Sequence, residues 1–138
     1  MADPCKVSPT PGSLHHVELQ VQDLASSTAS FDWLFTELGY TAYQKWGGGQ
    51  SWILGTTYIV IAQAPRDGAH DRRAAGLSHL AFHAGTAKRV DELWASAADH
   101  GWTQLYAERH PWAGGEDHYA AFLENGERFK IELVAEPE

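Results

Sequence analysis

Gly126-Glu127-Arg128-Phe129-Lys130-Ile131-Glu132-Leu133-Val134 is the last patterned stretch of the chain. The pair Asn125-Gly126 marks a turn, and the residues after it read as a strand over Gly126 to Val134. Phe129, Ile131 and Leu133 fall on one face of that strand, and Lys130, Glu132 and Val134 on the other. Glu132 is therefore a carboxylate in a strand interior, turned away from the apolar face. Such a group needs a cation, a donor or water beside it. Two earlier strands each carry a His at the matching place, so the chain reads as built to bring imidazoles to this acid.

The first of those strands is Leu14 to Val21, which alternates strictly. His15, Val17, Leu19 and Val21 share one face, which wants a helix packed on it. Leu14, His16, Glu18 and Gln20 share the other, unusually polar face. A helix follows over about Ser27 to Leu38, with Ser26 or Ser27 as its cap, Gly39 at its end and Phe31, Leu34, Phe35 and Leu38 as its stripe. Three short strands come next, Tyr40 to Trp46, Gln50 to Leu54 and Tyr58 to Gln63. The order then repeats. Leu77 to His83 is a strand with His79, Ala81 and His83 on one face. Thr86 caps a helix running to His100, Trp102 to Ala107 and His118 to Leu123 are strands, and the opening stretch closes the second set.

Strand, helix and three strands, twice over, is an internal repeat in layout. Residues 1–12 read as a flexible leader and residues 13–135 as a single domain. Within it, module 1 covers about 13–63, a connector 64–76 and module 2 about 77–135. The expected fold class is α+β, with two βαβββ modules forming a curved mixed-sheet cup and helices on its outer face.

The bulk properties narrow the function. The 138 residues suffice for one core, and the formal net charge of −8 argues against nucleic-acid or anionic-membrane partners. The one cysteine, Cys5, permits no disulfide within the chain, which fits a reducing cytoplasm. The leader has no apolar core of a signal peptide, and no apolar run approaches membrane-spanning length. Eight His and six Trp are the unusual counts: imidazoles bind metals or move protons, and indoles pack cores or line cavities.

On Leu14-His15-His16-Val17-Glu18-Leu19, Gly76-Leu77-Ser78-His79-Leu80-Ala81-Phe82 and Gly126 to Val134, the doubled βαβββ order resembles the vicinal oxygen chelate superfamily. That superfamily includes glyoxalase I, extradiol dioxygenases, fosfomycin-modifying enzymes and bleomycin-binding proteins. The resemblance covers about residues 13 to 135. It implies a divalent metal (Fe, Mn, Zn or Ni) held by His16, His79 and Glu132, with open positions for substrate and water. Parity favours His16 over His15, because His16 shares the face of Glu18 while His15 shares that of Val17. The fourth family position aligns with Ile61 when the turn glycines Gly55 and Gly126 are superimposed. Ile61 cannot bind metal, which departs from the four-ligand glyoxalase I pattern. The extradiol dioxygenases use the same three positions, but their catalytic Tyr aligns here with Phe122.

The resemblance thus implies a metal-dependent enzyme acting on a small substrate with adjacent oxygens. Isomerase, lyase, transferase and dioxygenase chemistry all fit that ligand set. His118 or Glu18 would move the proton. Trp46, Trp52, Trp112, Phe122 and His83 are the expected substrate-pocket residues, and Trp33, Trp94 and Trp102 core or helix-packing ones. The alternative is a metal-free drug- or metabolite-binding protein with an aromatic-lined cup, as in the bleomycin-resistance relatives. The resemblance also implies a homodimer.

Overall fold

A computed structural model describes residues 8–137; the first seven residues of the expected leader lie outside them. Residues 8–13 carry no helix or strand. The chain divides into two compact units, Met1–Asp67 and Gly68–Glu138.

In the first unit the order is β1 (His16–Val21), α1 (Leu24–Glu37), β2 (Thr41–Trp46), β3 (Gly49–Leu54) and β4 (Thr57–Gln63). These strands form one sheet in the order β1-β4-β3-β2, with β1 parallel to β4 and the other pairs antiparallel. The second unit repeats the plan with β5 (His79–His83), α2 (Ala87–Ser96), a 3₁₀ turn (Ala97–His100), β6 (Trp102–Leu105), β7 (Ala120–Asn125) and β8 (Lys130–Val134). Its sheet order is β5-β8-β7-β6, again with only the first pair parallel. The fold is α+β, a duplicated βαβββ module with two four-stranded mixed sheets.

The strict alternation of β1 has the expected consequence. Leu19 and Val21 are buried, while His16, Glu18 and Gln20 on the opposite face are exposed. Helix α1 packs on β3 and β4 and buries Phe31, Leu34 and Phe35. It begins a turn earlier than its serines suggest. The Asp23 carboxylate accepts the Ser26 N–H at 3.1 Å, and Ser27 is a buried residue inside the helix. A short acidic side chain outcompetes a hydroxyl here because it satisfies an orphan N–H with a full charge. Helix α2 starts at Thr86, whose side chain accepts the Arg89 N–H. Gly101, with φ of +86°, stops the 3₁₀ turn in a conformation that suits glycine.

Several strand boundaries in the second unit move: β5 begins at His79, not Leu77, β6 ends at Leu105, not Ala107, and β7 runs on to Asn125. The closing strand begins at Lys130, not Gly126, because the Asn125 side chain gathers the N–H groups of Glu127 (3.1 Å) and Phe129 (3.0 Å) into the turn. Strand β7 begins at Ala120, not His118, since the His118 N–H is spent on a turn to Gly115 O at 3.2 Å. His118 thus stands on the loop just before the sheet.

The same turn corrects the match between modules. His79 pairs with Lys130 across β5 and β8, and His16 pairs with Tyr58 across β1 and β4. By that register Glu132 corresponds to Val60, not Ile61. The second hairpin turn is one residue longer than the first, so superimposing turn glycines slips the strands by one. Val60 is as unable to bind metal as Ile61, so the first module still contributes no carboxylate at that place.

Trp52 also departs from expectation. It is 0% exposed, packs 5.2 Å from the Phe35 ring and donates its indole N–H to Asp32 at 2.8 Å. Its neighbour across the ladder is Ile59, and the indole lies on the helix-covered face of the sheet.

Candidate functional site

Three strands set the site in the second unit. In the β5–β8 register Glu132 lies opposite Ala81, and in the β7–β8 register opposite Phe122. His79 and His83 share the face of Ala81, so His79, Phe122, Lys130 and Glu132 all project from one side of the sheet. The opposite side carries Ile131, Leu133, Ala121 and Leu123, all buried, and α2 packs on β7.

Glu132 is 7% exposed, and each of its oxygens is met by an imidazole. His79 donates from Nε2 to Oε1 at 3.0 Å, and its Nδ1 lies 3.0 Å from Ser78 Oγ. His118 donates from Nε2 to Oε2. The Phe122 ring, 6% exposed, stands edge-on to His79 at 6.3 Å. Gly114 makes room for His118: a Cβ there would sit 2.7 Å from His118 Cδ2 and 3.3 Å from Phe122 Cζ. His118 also borders a cleft of about 760 Å³ lined by His83, Trp112, Glu116, Tyr119 and Val134. Trp112, 49% exposed, stands edge-on to Tyr119 at 5.3 Å.

Next to Glu132 on the same face, Lys130 donates from Nζ to the Tyr106 hydroxyl at 3.1 Å. The ammonium lies 5.1 Å from the centroids of both the Tyr106 and Phe122 rings. The Lys130 hydrogen bond holds the Tyr106 phenol below its ordinary pKa. Burial opposes that shift, and the positive charges of Lys130 and Arg72 reinforce it.

In the first unit His16 is exposed at the start of β1 and stacks on Tyr58, rings 4.7 Å apart and 3° from parallel. Its Nδ1 lies 2.9 Å from Nδ1 of His15, and the His15 ring stands edge-on to Tyr58 at 5.3 Å. Glu18 is exposed on the His16 face, opposite Val60. Trp46 is 46% exposed and lies against Gly49, where a Cβ would come within 2.7 Å of the indole.

Known proteins share this architecture and sequence. No family model matches the chain. A solved structure from Bacillus halodurans, assigned as a glyoxalase, is 46% identical with a TM-score of 0.87, over 91% of this chain and 97% of that one. The chain belongs to the glyoxalase/bleomycin resistance/dioxygenase family, the vicinal oxygen chelate fold. Protein YqjT of Bacillus subtilis strain 168 is 45% identical over 125 residues, which is 88% of this chain and 98% of YqjT. A glyoxalase/bleomycin resistance protein from Albidiferax ferrireducens T118 shares the fold at 21% identity and a TM-score of 0.71, over 90% of this chain and 98% of that one.

For this vicinal oxygen chelate protein, the structure brings together His79, His118, Phe122 and Glu132 from the expected site residues. His79 Nε2 and Glu132 Oε1, both atoms of metal-ligand chemistry, face each other at 3.0 Å as hydrogen-bond partners. Among the described residues, no group of three or more His, Cys, Asp or Glu side chains is arranged to hold a metal ion. Lys130 and Tyr106 are the members of this face that sequence reading missed. Lys130 was visible as the residue sharing Glu132's parity, but nothing in the sequence marks Tyr106, which follows β6 at φ of +58°. Among the described residues no helix is long and apolar enough to cross a membrane.

Proposed function

We propose that this protein is a metal-dependent vicinal oxygen chelate enzyme acting on a small substrate with two adjacent oxygens. The observation that carries the reading is the buried Glu132 carboxylate with His79 Nε2 3.0 Å from one oxygen. A carboxylate and an imidazole form the donor chemistry of a divalent site, for Fe, Mn, Zn or Ni. His79, Glu132 and His16 are the proposed ligands. When bound, the metal supplies a Lewis acid that stabilises negative charge on a chelated oxygen.

The chain's own groups have separable roles. Ser78 Oγ donates or accepts, so it serves His79 whether Nδ1 is bare or carries the proton a ligating imidazole keeps there. Phe122 excludes water beside His79. His118 holds a proton at Nε2 against Glu132 and borders the cleft, which makes it the proton-moving group; Glu18 is the alternative. Isomerase, lyase, transferase and dioxygenase chemistry remain compatible with this set.

Elemental mass spectrometry of the purified protein, with His79→Ala and Glu132→Gln alongside, tests the reading. One metal per chain, lost in both variants while their circular dichroism stays native, supports it. No metal under saturating Fe(II), Mn(II), Ni(II) and Zn(II) overturns it. The cleft beside Trp112 favours a second reading, a metal-free binder of planar drugs or metabolites. Tight quenching of Trp fluorescence by an aromatic ligand in metal-free protein supports that one. The assembly we propose is a cytoplasmic homodimer. It is supported by strand β2, an edge strand exposed along its whole length and carrying Tyr43 and Trp46, and light scattering tests it.

A further inference from the structure

Lys130 is a half-buried cation without a carboxylate of its own. Glu124, directly opposite it on β7, is engaged by Arg72 and lies 3.7 Å from Arg128. Among the described residues Lys130 pairs with no acid. One of its three N–H groups goes to Tyr106, and aromatic rings of Tyr106 and Phe122 flank the ammonium. A cation held this way is partly covered by rings and has no acid paired to it among the described residues.

Its position relative to Glu132 is fixed by the strand. The two residues are two apart on one face, which spaces their Cα atoms by about 6.6–6.8 Å along the strand. Phe122 sits across the ladder from Glu132, and the Lys130 ammonium lies over its ring. The charged and titratable groups around the spot are His79, His118 and Glu132 on one side. On the other are Arg72 with Glu124, and Arg109, which lies 5.0 Å from the Tyr106 ring and 3.7 Å from Glu108. The Lys130 hydrogen bond is the leading cause of the lowered Tyr106 phenol pKa, and the positive charges of Lys130 and Arg72 act in the same direction against burial. The backbone of Tyr106 is in the left-handed region, which a non-glycine keeps only when its surroundings hold it there.

We propose that Lys130 and the Tyr106 hydroxyl form a subsite for the carboxylate of a planar substrate, on the same face of the sheet as Glu132. The substrate class is then a planar carboxylate that carries two adjacent oxygens at its far end. A ring between these ends lies against Phe122, which pairs with Glu132 across the ladder and has the Lys130 ammonium over its face. This assignment rests on the metal reading for what happens at Glu132. The carboxylate subsite itself needs no metal.

Benzoate and benzamide, matched in shape and differing in charge, are the probes. Each is titrated into chelator-treated protein and followed by amide chemical shifts in ¹H–¹⁵N spectra. Benzoate is expected to shift Phe122, Lys130 and Tyr106 and to bind about tenfold or more tightly than benzamide, the range of one charged hydrogen bond. Lys130→Met removes that preference and Lys130→Arg keeps part of it, so a misfolded Met variant does not decide the matter. Equal binding of the two probes, or a benzoate preference indifferent to both substitutions, overturns the subsite. Catechol and 3,4-dihydroxybenzoate with added Mn(II) separate this result from the parent reading. Metal-dependent binding of both without a Lys130-dependent preference for the acid overturns the subsite alone. A Lys130-dependent benzoate preference, with neither diol depending on metal, leaves the subsite standing and sinks the metal reading.

Discussion

His79 Nε2 lies 3.0 Å from Glu132 Oε1 although 53 residues separate the two in sequence. The parallel β5–β8 ladder makes the contact: Glu132 is opposite Ala81, and His79 is two residues back on the same face. Both side chains therefore issue from paired strands, the most rigid support the fold offers. His118, which meets the other oxygen, stands on a loop and depends on its neighbours for position.

Glu132→Ala is expected to cost stability. It leaves two imidazole N–H groups without their acceptor beside a nearly buried position. An unsatisfied buried donor costs about 1–3 kcal/mol. The His79 and His118 side chains are 31% and 42% exposed and can turn partly to water, which places the loss at the low end. Glu132→Gln, which keeps the size and one acceptor oxygen, should lose less. Urea midpoints of the three proteins check the order, and an Ala variant as stable as wild type contradicts it.

Gly114→Ala should disturb His118 first and, less strongly, crowd the Phe122 ring 3.3 Å from the new methyl. The new methyl would stand 2.7 Å from His118 Cδ2, closer than side chains tolerate, while Gly114 itself lies in a loop outside the sheet. His118 must swing away and give up Glu132. Imidazole ¹H–¹⁵N spectra are expected to show the His118 resonances moved and those of His79 retained. Activity that depends on His118 falls, and the thermal midpoint drops modestly because one oxygen of the buried Glu132 loses its donor. An Ala variant with native His118 resonances shows that the loop yields instead.

Trp52 supports the first module from within. Trp52→Ala removes a fully buried indole beneath α1 and should cost about 3–5 kcal/mol. Trp52→Phe keeps an aromatic ring against Phe35 but leaves Asp32 without its indole donor. Asp32 is exposed and takes water in exchange, so the loss should be nearer 1 kcal/mol. Denaturant unfolding reads both. A Trp52→Ala protein with wild-type stability would mean that the indole is not core.

How far the sequence could be read follows from the physics of each element. The strict alternation of β1 and β8 exposed the polar face of each, because side-chain parity in a strand does not depend on tertiary context. That made Glu132 and His79 visible as partners. Length in a turn is less legible: the extra residue between Asn125 and Phe129 slipped the module match from Val60 to Ile61. Ser26 and Ser27 looked like caps because hydroxyls favour helix starts, but Asp23 took the role three residues earlier. Trp52 was misplaced because its strand begins at Gly49, beside a turn, and a tryptophan near a turn gives no sign of which face it takes. Tyr106 escaped because no periodicity reaches a single residue beyond a strand end, where a positive φ sends the side chain back to Lys130.

Alkaline titration gives the most direct check on the Tyr106–Lys130 contact. The folded phenol of Tyr106 is held below the ordinary tyrosine value of about 10 that it regains on unfolding. Below the folded value both states keep the proton and the pair adds nothing linked to this group. As pH rises through the folded value, the native state releases its proton first, so the unfolded state binds more protons and stability rises relative to a Tyr106→Phe control. The gain is complete above about pH 10 and disappears as pH falls back through the folded value. Tyrosinate absorbance should show Tyr106 among the first phenols to ionise and Tyr40, pushed up by burial, among the last. Tyr106→Phe deletes the early step, and Lys130→Met moves it toward the ordinary value because the leading cause of the shift is gone. An early step that Lys130→Met leaves in place would mean that Lys130 does not set the phenol's acidity.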